Sequence, residues 1–184
     1  MDQIINETRR WIENTVIAHN FCPFVRHVFQ QDQIAYHVIQ PNDIEECLHE
    51  VIQACINLDN NISIETSLLI YSQQFEDFEQ FLDFAELAEQ LLIEQAYEGI
   101  YQLATFHPEY CFAETLADDP SNYTNRSPYP MLHLLREKSI SIAIDNYPDI
   151  DKIPERNIET ARDIGLEQLQ TELKNCYAKN KQDR

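Results

Sequence analysis

The chain has 184 residues, of which 43% are hydrophobic, so it is long enough for one domain with a sizeable core. Its formal net charge of −19 repels phosphate backbones and disfavours general nucleic-acid binding. Only two glycines occur, Gly99 and Gly165. This excludes a P-loop, a Rossmann dinucleotide turn and a nucleophile elbow, because each of these needs clustered glycines.

The first half of the chain alternates helical and strand patterns. The predicted elements are a helix over 4–20, a strand over 33–40, a helix from about 42 to 58, a strand over 64–71 and a helix from about 75 to 96. The first helix ends before Pro23, which pushes Cys22 out of the α region. Asn42 or Asp43 caps the second helix. The strand over 64–71 is apolar at its end, as is typical of a central strand.

The second half begins with a strand and ends in helices. The predicted elements are a strand over 100–107, a loop over 108–127 with a short strand at 111–114, helices over 129–146 and 151–176, and a polar tail over 178–184. Ser127 and Pro128 fit the N-cap and first turn of the 129–146 helix. The sequence therefore predicts a single α/β domain over 1–177. It has a small sheet of three or more strands, at least some of them parallel, with an N-terminal helix and two C-terminal helices.

The expected location follows from what the sequence lacks. No apolar run reaches the roughly 18 residues of a membrane span, and the N-terminus lacks the basic start and apolar stretch of a secretion signal. We therefore expect a cytoplasmic protein that binds neither membranes nor nucleic acid. The five cysteines are an odd number without a CxxC pair, so we expect all of them to be free thiols.

Five segments together resemble the bacterial family called domain of unknown function 1415. They are Asn20-Phe-Cys-Pro-Phe24, Phe106-His-Pro-Glu-Tyr-Cys-Phe112, Asn122-Tyr-Thr-Asn-Arg-Ser-Pro-Tyr-Pro130, Leu132-His-Leu-Leu-Arg-Glu137 and Glu155-Arg-Asn-Ile-Glu159. Cys111 stands between the aromatic positions, where the family pattern has an arbitrary residue. The resemblance implies a single cytoplasmic domain, and it implies no mechanism.

Arg126 is the first candidate for a functional site. It directly follows residues 27–125, which contain no Lys or Arg and hold 19 of the 32 acidic residues. Arginine binds carboxylate or phosphate through two parallel hydrogen bonds, and the same argument applies to Arg136 and Arg156 in similar segments. The alternative is internal ion pairing. Nearby acidic partners for these arginines are Glu137, Glu155 and Glu159.

His107 and Cys22 are the candidate catalytic residues. His107 lies at the carboxyl end of the third predicted strand, where ligands gather in open α/β sheets, so it is a candidate general base or metal ligand. The alternative is a histidine that fixes the turn through backbone hydrogen bonds. Cys22 is a candidate nucleophile paired with His107, and the alternative is a small buried apolar residue.

His133 and Glu137 are four residues apart, which would place them on one face of the 129–146 helix. With His107 they offer a possible metal site, although the pattern is weak because a zinc protease needs His-Glu-x-x-His.

The free amide groups at the start of the 129–146 helix favour an anion, and they would lie beside Arg126. We therefore expect segment 107–137 to form a pocket for a small anionic metabolite, with no cofactor. Its ligand-binding residues would be Asn125, Arg126, Ser127, His133 and Arg136. His107 would transfer protons and Cys22 would line the pocket. The alternatives are a non-catalytic binding or interaction module with purely structural motifs, and a metal-dependent hydrolase.

Overall fold

A four-stranded sheet forms the centre of the computed structural model, which describes residues 1–40, 43–147 and 149–177. Its strands are β1 (Ile34–Ile39), β2 (Thr66–Tyr71), β3 (Tyr101–Phe106) and β4 (Met131–Arg136), in the order β1-β2-β4-β3. β1 and β2 are parallel, whereas β4 runs antiparallel to both of its neighbours. β2 is buried along its whole length because it is central and both of its faces are covered.

Two long helices cover one face of the sheet. They are α3 (Ile44–Asn60) and α4 (Phe78–Glu94), and each begins at an aspartate that accepts a hydrogen bond from a backbone N–H three residues later. Asp43 accepts from Glu46, and Asp77 accepts from Gln80, which satisfies an amide group that the helix leaves unpaired. We call this side of the sheet the α3/α4 face. Its core includes Val51, Leu58, Leu69, Tyr71, Phe81, Phe84, Leu132 and Leu134.

The N- and C-terminal helices cover the opposite face, which we call the α1/α7 face. The first helix, α1 (Asp2–Trp11), continues as a π-helix over Ile12–Ile17. The others are α2 (Val25–Gln30), α5 (Glu137–Asn146), α6 (Ile153–Ile164) and α7 (Leu166–Cys176). Short 3₁₀ helices lie at Pro120–Thr124 and Ile150–Lys152. The core on this face includes Trp11, Ile12, Phe21, Leu68, Ile70, Met131, Ala161 and Leu169.

The α/β class and the first three predicted strands are confirmed, and so is the cap at Asp43. The predicted helix over 4–20 is also present, but its second part is π-helical. All five cysteines are free thiols, as expected. Asn42 and the predicted tail over 178–184 lie outside the described residues. Among the described residues, no helix combines the length and apolar character needed to cross a membrane.

The prediction of a helix over 129–146 is wrong in its first half, because residues 131–136 form β4. The sequence Met131-Leu-His-Leu-Leu suits either structure, and the fold decides for a strand because β2 and β3 pair with both edges of β4. Helix α5 begins only at Glu137, so Ser127 is not its N-cap. The Ser127 hydroxyl donates to the Tyr129 carbonyl instead, at 2.6 Å.

Two smaller predictions are also corrected. Residues 111–114 form no strand, and the last two of them lie in a turn. The last predicted helix is divided at Gly165, whose φ of +86° belongs to the left-handed region that glycine adopts without strain. Helix α6 therefore ends at Ile164, and α7 begins at Leu166.

Candidate functional site

The structure brings the two central motif segments together through their backbones, directly after β3 and before β4. The N–H of His107 donates to the Asn125 carbonyl at 3.2 Å, and the N–H of Ser127 donates to the His107 carbonyl at 3.4 Å. His107, Asn125 and Ser127 are therefore neighbours along the backbone. Their side chains bond to backbone groups instead of lining a solvent-facing pocket.

His107 is fully buried, and both of its ring nitrogens have partners. Nε2 lies 2.8 Å from the Phe75 carbonyl, and Nδ1 accepts the Glu109 N–H at 3.0 Å, so the ring proton lies on Nε2. Burial lowers the pKa of His107 and keeps the ring neutral. Phe75 has a φ of +60°, and the histidine bonds the carbonyl of this left-handed residue. This arrangement fits the alternative interpretation, in which His107 fixes turns.

Arg126 closes the loop that precedes it. Its Nε donates to the Tyr110 carbonyl at 3.0 Å, and its Nη2 donates to the Ala117 carbonyl at 2.7 Å. The guanidinium also lies 4.7 Å above the centre of the Tyr123 ring, a favourable cation–π geometry. The Arg126 carbonyl accepts the indole N–H of Trp11 at 2.9 Å. Both the side chain and the backbone of Arg126 are thus engaged with the protein.

Two asparagines complete the same loop. Asn122 is fully buried and was missed as a candidate, although it opens the longest motif segment. Its Oδ1 accepts from the Phe112 N–H at 3.0 Å, and its Nδ2 donates to the Leu116 carbonyl at 2.9 Å. Asn125 donates from Nδ2 to the Thr105 carbonyl at 3.2 Å. These amides replace the backbone pairing that an irregular loop lacks.

Arg136 and Arg156 also donate to backbone carbonyls. Arg136 Nη2 lies 2.6 Å from the Leu58 carbonyl and 3.1 Å from the Ile64 carbonyl, at the C-terminal end of α3. A positive charge there stabilises the negative end of the helix dipole. Arg156 Nη2 donates to the Asn20 carbonyl at 3.1 Å.

A cavity of about 930 Å³ lies on the α1/α7 face of the sheet. Its floor is formed by alternate residues of the strands, and its walls by the end of α1, the π-helix, α2 with the segment before it, and α5. Residues from the strands are Ile34, Thr66, Leu68, Gln102, Ala104, Phe106, His133 and Leu135. Residues from the walls include Trp11, Ile12, Val16, Cys22, Phe24, Val28, Ile140 and Ala143. The lining is mainly apolar, and its polar groups are few.

Cys22 borders this cavity, whereas His107 packs against Phe78 and Phe81 of α4, on the other side of the sheet. The structure therefore does not bring Cys22 to His107. Burial raises the pKa of the Cys22 thiol, and the amide groups of Phe24 and Val25 oppose this shift only in part. The thiol is thus protonated at neutral pH, which weakens it as a nucleophile.

His133 lies in β4 and forms part of the cavity floor. Its Nε2 is 2.6 Å from the Thr66 hydroxyl, which bonds in turn to the Leu134 carbonyl. Burial lowers the pKa of His133 to about 4. Because His133 is in a strand, the predicted helix face shared with Glu137 does not exist. Over 1–40, 43–147 and 149–177, no three His, Cys, Asp or Glu side chains cluster in a way that could hold a metal ion.

A second, smaller pocket of about 470 Å³ lies beside the 3₁₀ helix over Ile150–Lys152. Three of its charged side chains already have partners: Lys152 pairs with Asp149 at 2.8 Å, and Arg156 donates to the Tyr147 hydroxyl at 3.1 Å. The larger cavity is the better candidate site.

These features describe a single-domain α/β protein with an apolar cavity on one side of a mixed sheet. Over residues 3–171, the chain matches the model of a family described as protein of unknown function DUF1415, and it belongs to that family. No curated protein and no solved structure is detectably similar to it.

Proposed function

We propose that the protein binds a small, mainly apolar molecule in the cavity on the α1/α7 face. The observation that carries this proposal is the cavity itself, whose volume of about 930 Å³ lies in the range of small-molecule sites. Water in contact with an apolar lining of this size is unfavourable, because burial of apolar surface is the main source of binding free energy. A ligand that displaces this water is therefore favoured.

The way the motif segments are arranged supports the same proposal. Cys22 and Phe24 come from the first of them, Phe106 from the second, and His133 from the fourth, and all border the cavity. The fifth segment holds the first in place, because the Asn157 side chain donates to the Phe21 carbonyl at 2.7 Å. The wall opposite the sheet includes Ile12 and Val16 of the π-helix, and π-helical turns are frequent at functional sites.

The anionic ligand expected from the sequence remains a second proposal, with Arg126 as its binding residue. A cytoplasmic location is also proposed. Five free thiols support it, because structural disulfides are typical of oxidising compartments.

A cavity-filling substitution tests the first proposal. The probe is 1-methoxyoctane, an apolar ether without a hydrogen-bond donor, and the reporter is the fluorescence of Trp11, the single tryptophan of the sequence. We expect the ether to change this fluorescence and to raise the melting temperature of the full chain. At about 100 times its Kd, a ligand adds roughly 2.7 kcal/mol of stability.

Ala104→Phe should abolish both effects, because this side chain projects from the cavity floor. The matched control is Ala113→Phe, which adds the same atoms at an exposed loop position and should leave binding unchanged. If the ether binds Ala104→Phe as well as it binds the unmodified chain, the cavity is not its binding site.

A further inference from the structure

We propose that the ligand has a head group that donates a hydrogen bond and carries no negative charge, and that Nδ1 of His133 accepts that bond. This inference rests on the proposed function, because it names the chemical class of the molecule that the cavity binds.

The first step is the protonation state of the imidazole ring. The Thr66 hydroxyl has a single hydrogen, which it donates to the Leu134 carbonyl. It therefore accepts from Nε2 of His133, which lies 2.6 Å away and must carry the ring proton. In the neutral ring, Nδ1 is then the acceptor. A pKa of about 4 keeps the ring neutral at physiological pH.

The second step is the position of Nδ1. It has no hydrogen-bond partner among the described residues, and His133 forms part of the cavity floor beside Phe106, whose ring centre lies 6.0 Å away. A partly buried acceptor without a partner loses free energy that a donor restores. The floor of the cavity thus offers an acceptor to whatever fills it.

The third step is the charge around the cavity. Glu65 borders it, and Oε1 of this carboxylate is buried without a hydrogen-bond partner in the described part of the chain. Arg136 also borders the cavity, but its guanidinium is bound to the carbonyls of Leu58 and Ile64. Two acceptors without partners and a cation that is already bound disfavour an anionic head group. They favour a hydroxyl or an amine.

Four octyl compounds that differ only in their head group test this inference: 1-octanol, octylammonium, 1-methoxyoctane and octanoate. Each is titrated into the full chain with Trp11 fluorescence as the reporter. We expect 1-octanol to bind about three- to tenfold more tightly than 1-methoxyoctane, the effect of one net hydrogen bond. Octanoate should bind most weakly. The more apolar ether would bind better if burial alone decided the affinity.

Two variants assign the acceptors. His133→Leu should remove the preference for 1-octanol while 1-methoxyoctane still binds, which also shows that the variant is folded. If octylammonium binds most tightly and Glu65→Gln removes that advantage, the head group is an amine, and otherwise it is a hydroxyl.

Three results overturn the inference. Equal or tighter binding of the ether, octanoate as the tightest ligand, or an unchanged preference for 1-octanol in His133→Leu would each do so while leaving the proposed cavity site intact. Failure of all four compounds to bind would overturn the proposed function as well.

Discussion

Replacing Arg126 with lysine distinguishes a loop-closing arginine from a ligand-binding one. The guanidinium donates to the Tyr110 and Ala117 carbonyls at once and lies over the Tyr123 ring. A lysine keeps the charge but reaches at most one of the two carbonyls. A hydrogen bond from a charged group contributes about 1.5–3 kcal/mol. The hydrogen bond from Arg126 to the Ala117 carbonyl is exposed to solvent. We therefore expect Arg126→Lys to lower the free energy of unfolding by about 2 kcal/mol.

For a domain of this size, about 2 kcal/mol corresponds to a fall of roughly 4–8 °C in melting temperature. Differential scanning calorimetry and urea unfolding measure the two quantities independently. The matched control is Arg162→Lys: Arg162 pairs with Asp119 at 2.9 Å, but its side chain is 55% exposed, so the change should be much smaller. An unchanged melting temperature in Arg126→Lys, with weaker binding of phosphate or sulfate, would refute this reasoning and support the anion pocket.

Two further predictions concern the cavity wall and floor. Because the pKa of His133 is about 4 in the folded protein and about 6.5 in the unfolded chain, the unfolded chain binds the extra proton between these values. Stability should therefore be full above pH 6.5 and fall as the pH drops toward 4, by at most about 3 kcal/mol; the same pH slope in His133→Leu would contradict this. Asn157→Ala removes the bond to the Phe21 carbonyl and should speed alkylation of Cys22 by iodoacetamide about fivefold, the effect of roughly 1 kcal/mol. Peptide mapping by mass spectrometry measures that rate, and equal rates in the two proteins would show that Asn157 does not hold the segment.

The polar motif residues share one physical role in this fold. Asn122, Asn125, Arg126 and Arg136 all donate to backbone carbonyls that lie in the loop after β3 or near the ends of β3 and α3. The 108–125 loop is long for a compact domain, and its irregular backbone needs such partners. The loop in turn supports Trp11, whose indole N–H is bound by the Arg126 carbonyl at the edge of the cavity.

The class of fold could be predicted from the amino-acid sequence, because local periodicity is a property of the chain. The apolar stripe of α3 and the cap at Asp43 needed no tertiary information. β2 was recognisable as central because its apolar run suits a strand covered on both faces. The end of the first helix before Pro23 likewise follows from backbone sterics, and its last helical residue is Ile17.

Strand β4, the hydrogen-bond partners of each arginine and the cavity depend on contacts between distant segments. Met131–Arg136 fits a helix or a strand locally, and the free edges of β2 and β3 select the strand. The sequence does not distinguish an arginine that binds a backbone carbonyl from one that binds a ligand, because the carbonyl comes from elsewhere in the chain. The cavity brings Cys22, Ala104 and His133 together from three distant segments, and the volume between packed elements is a property of their arrangement rather than of any one segment.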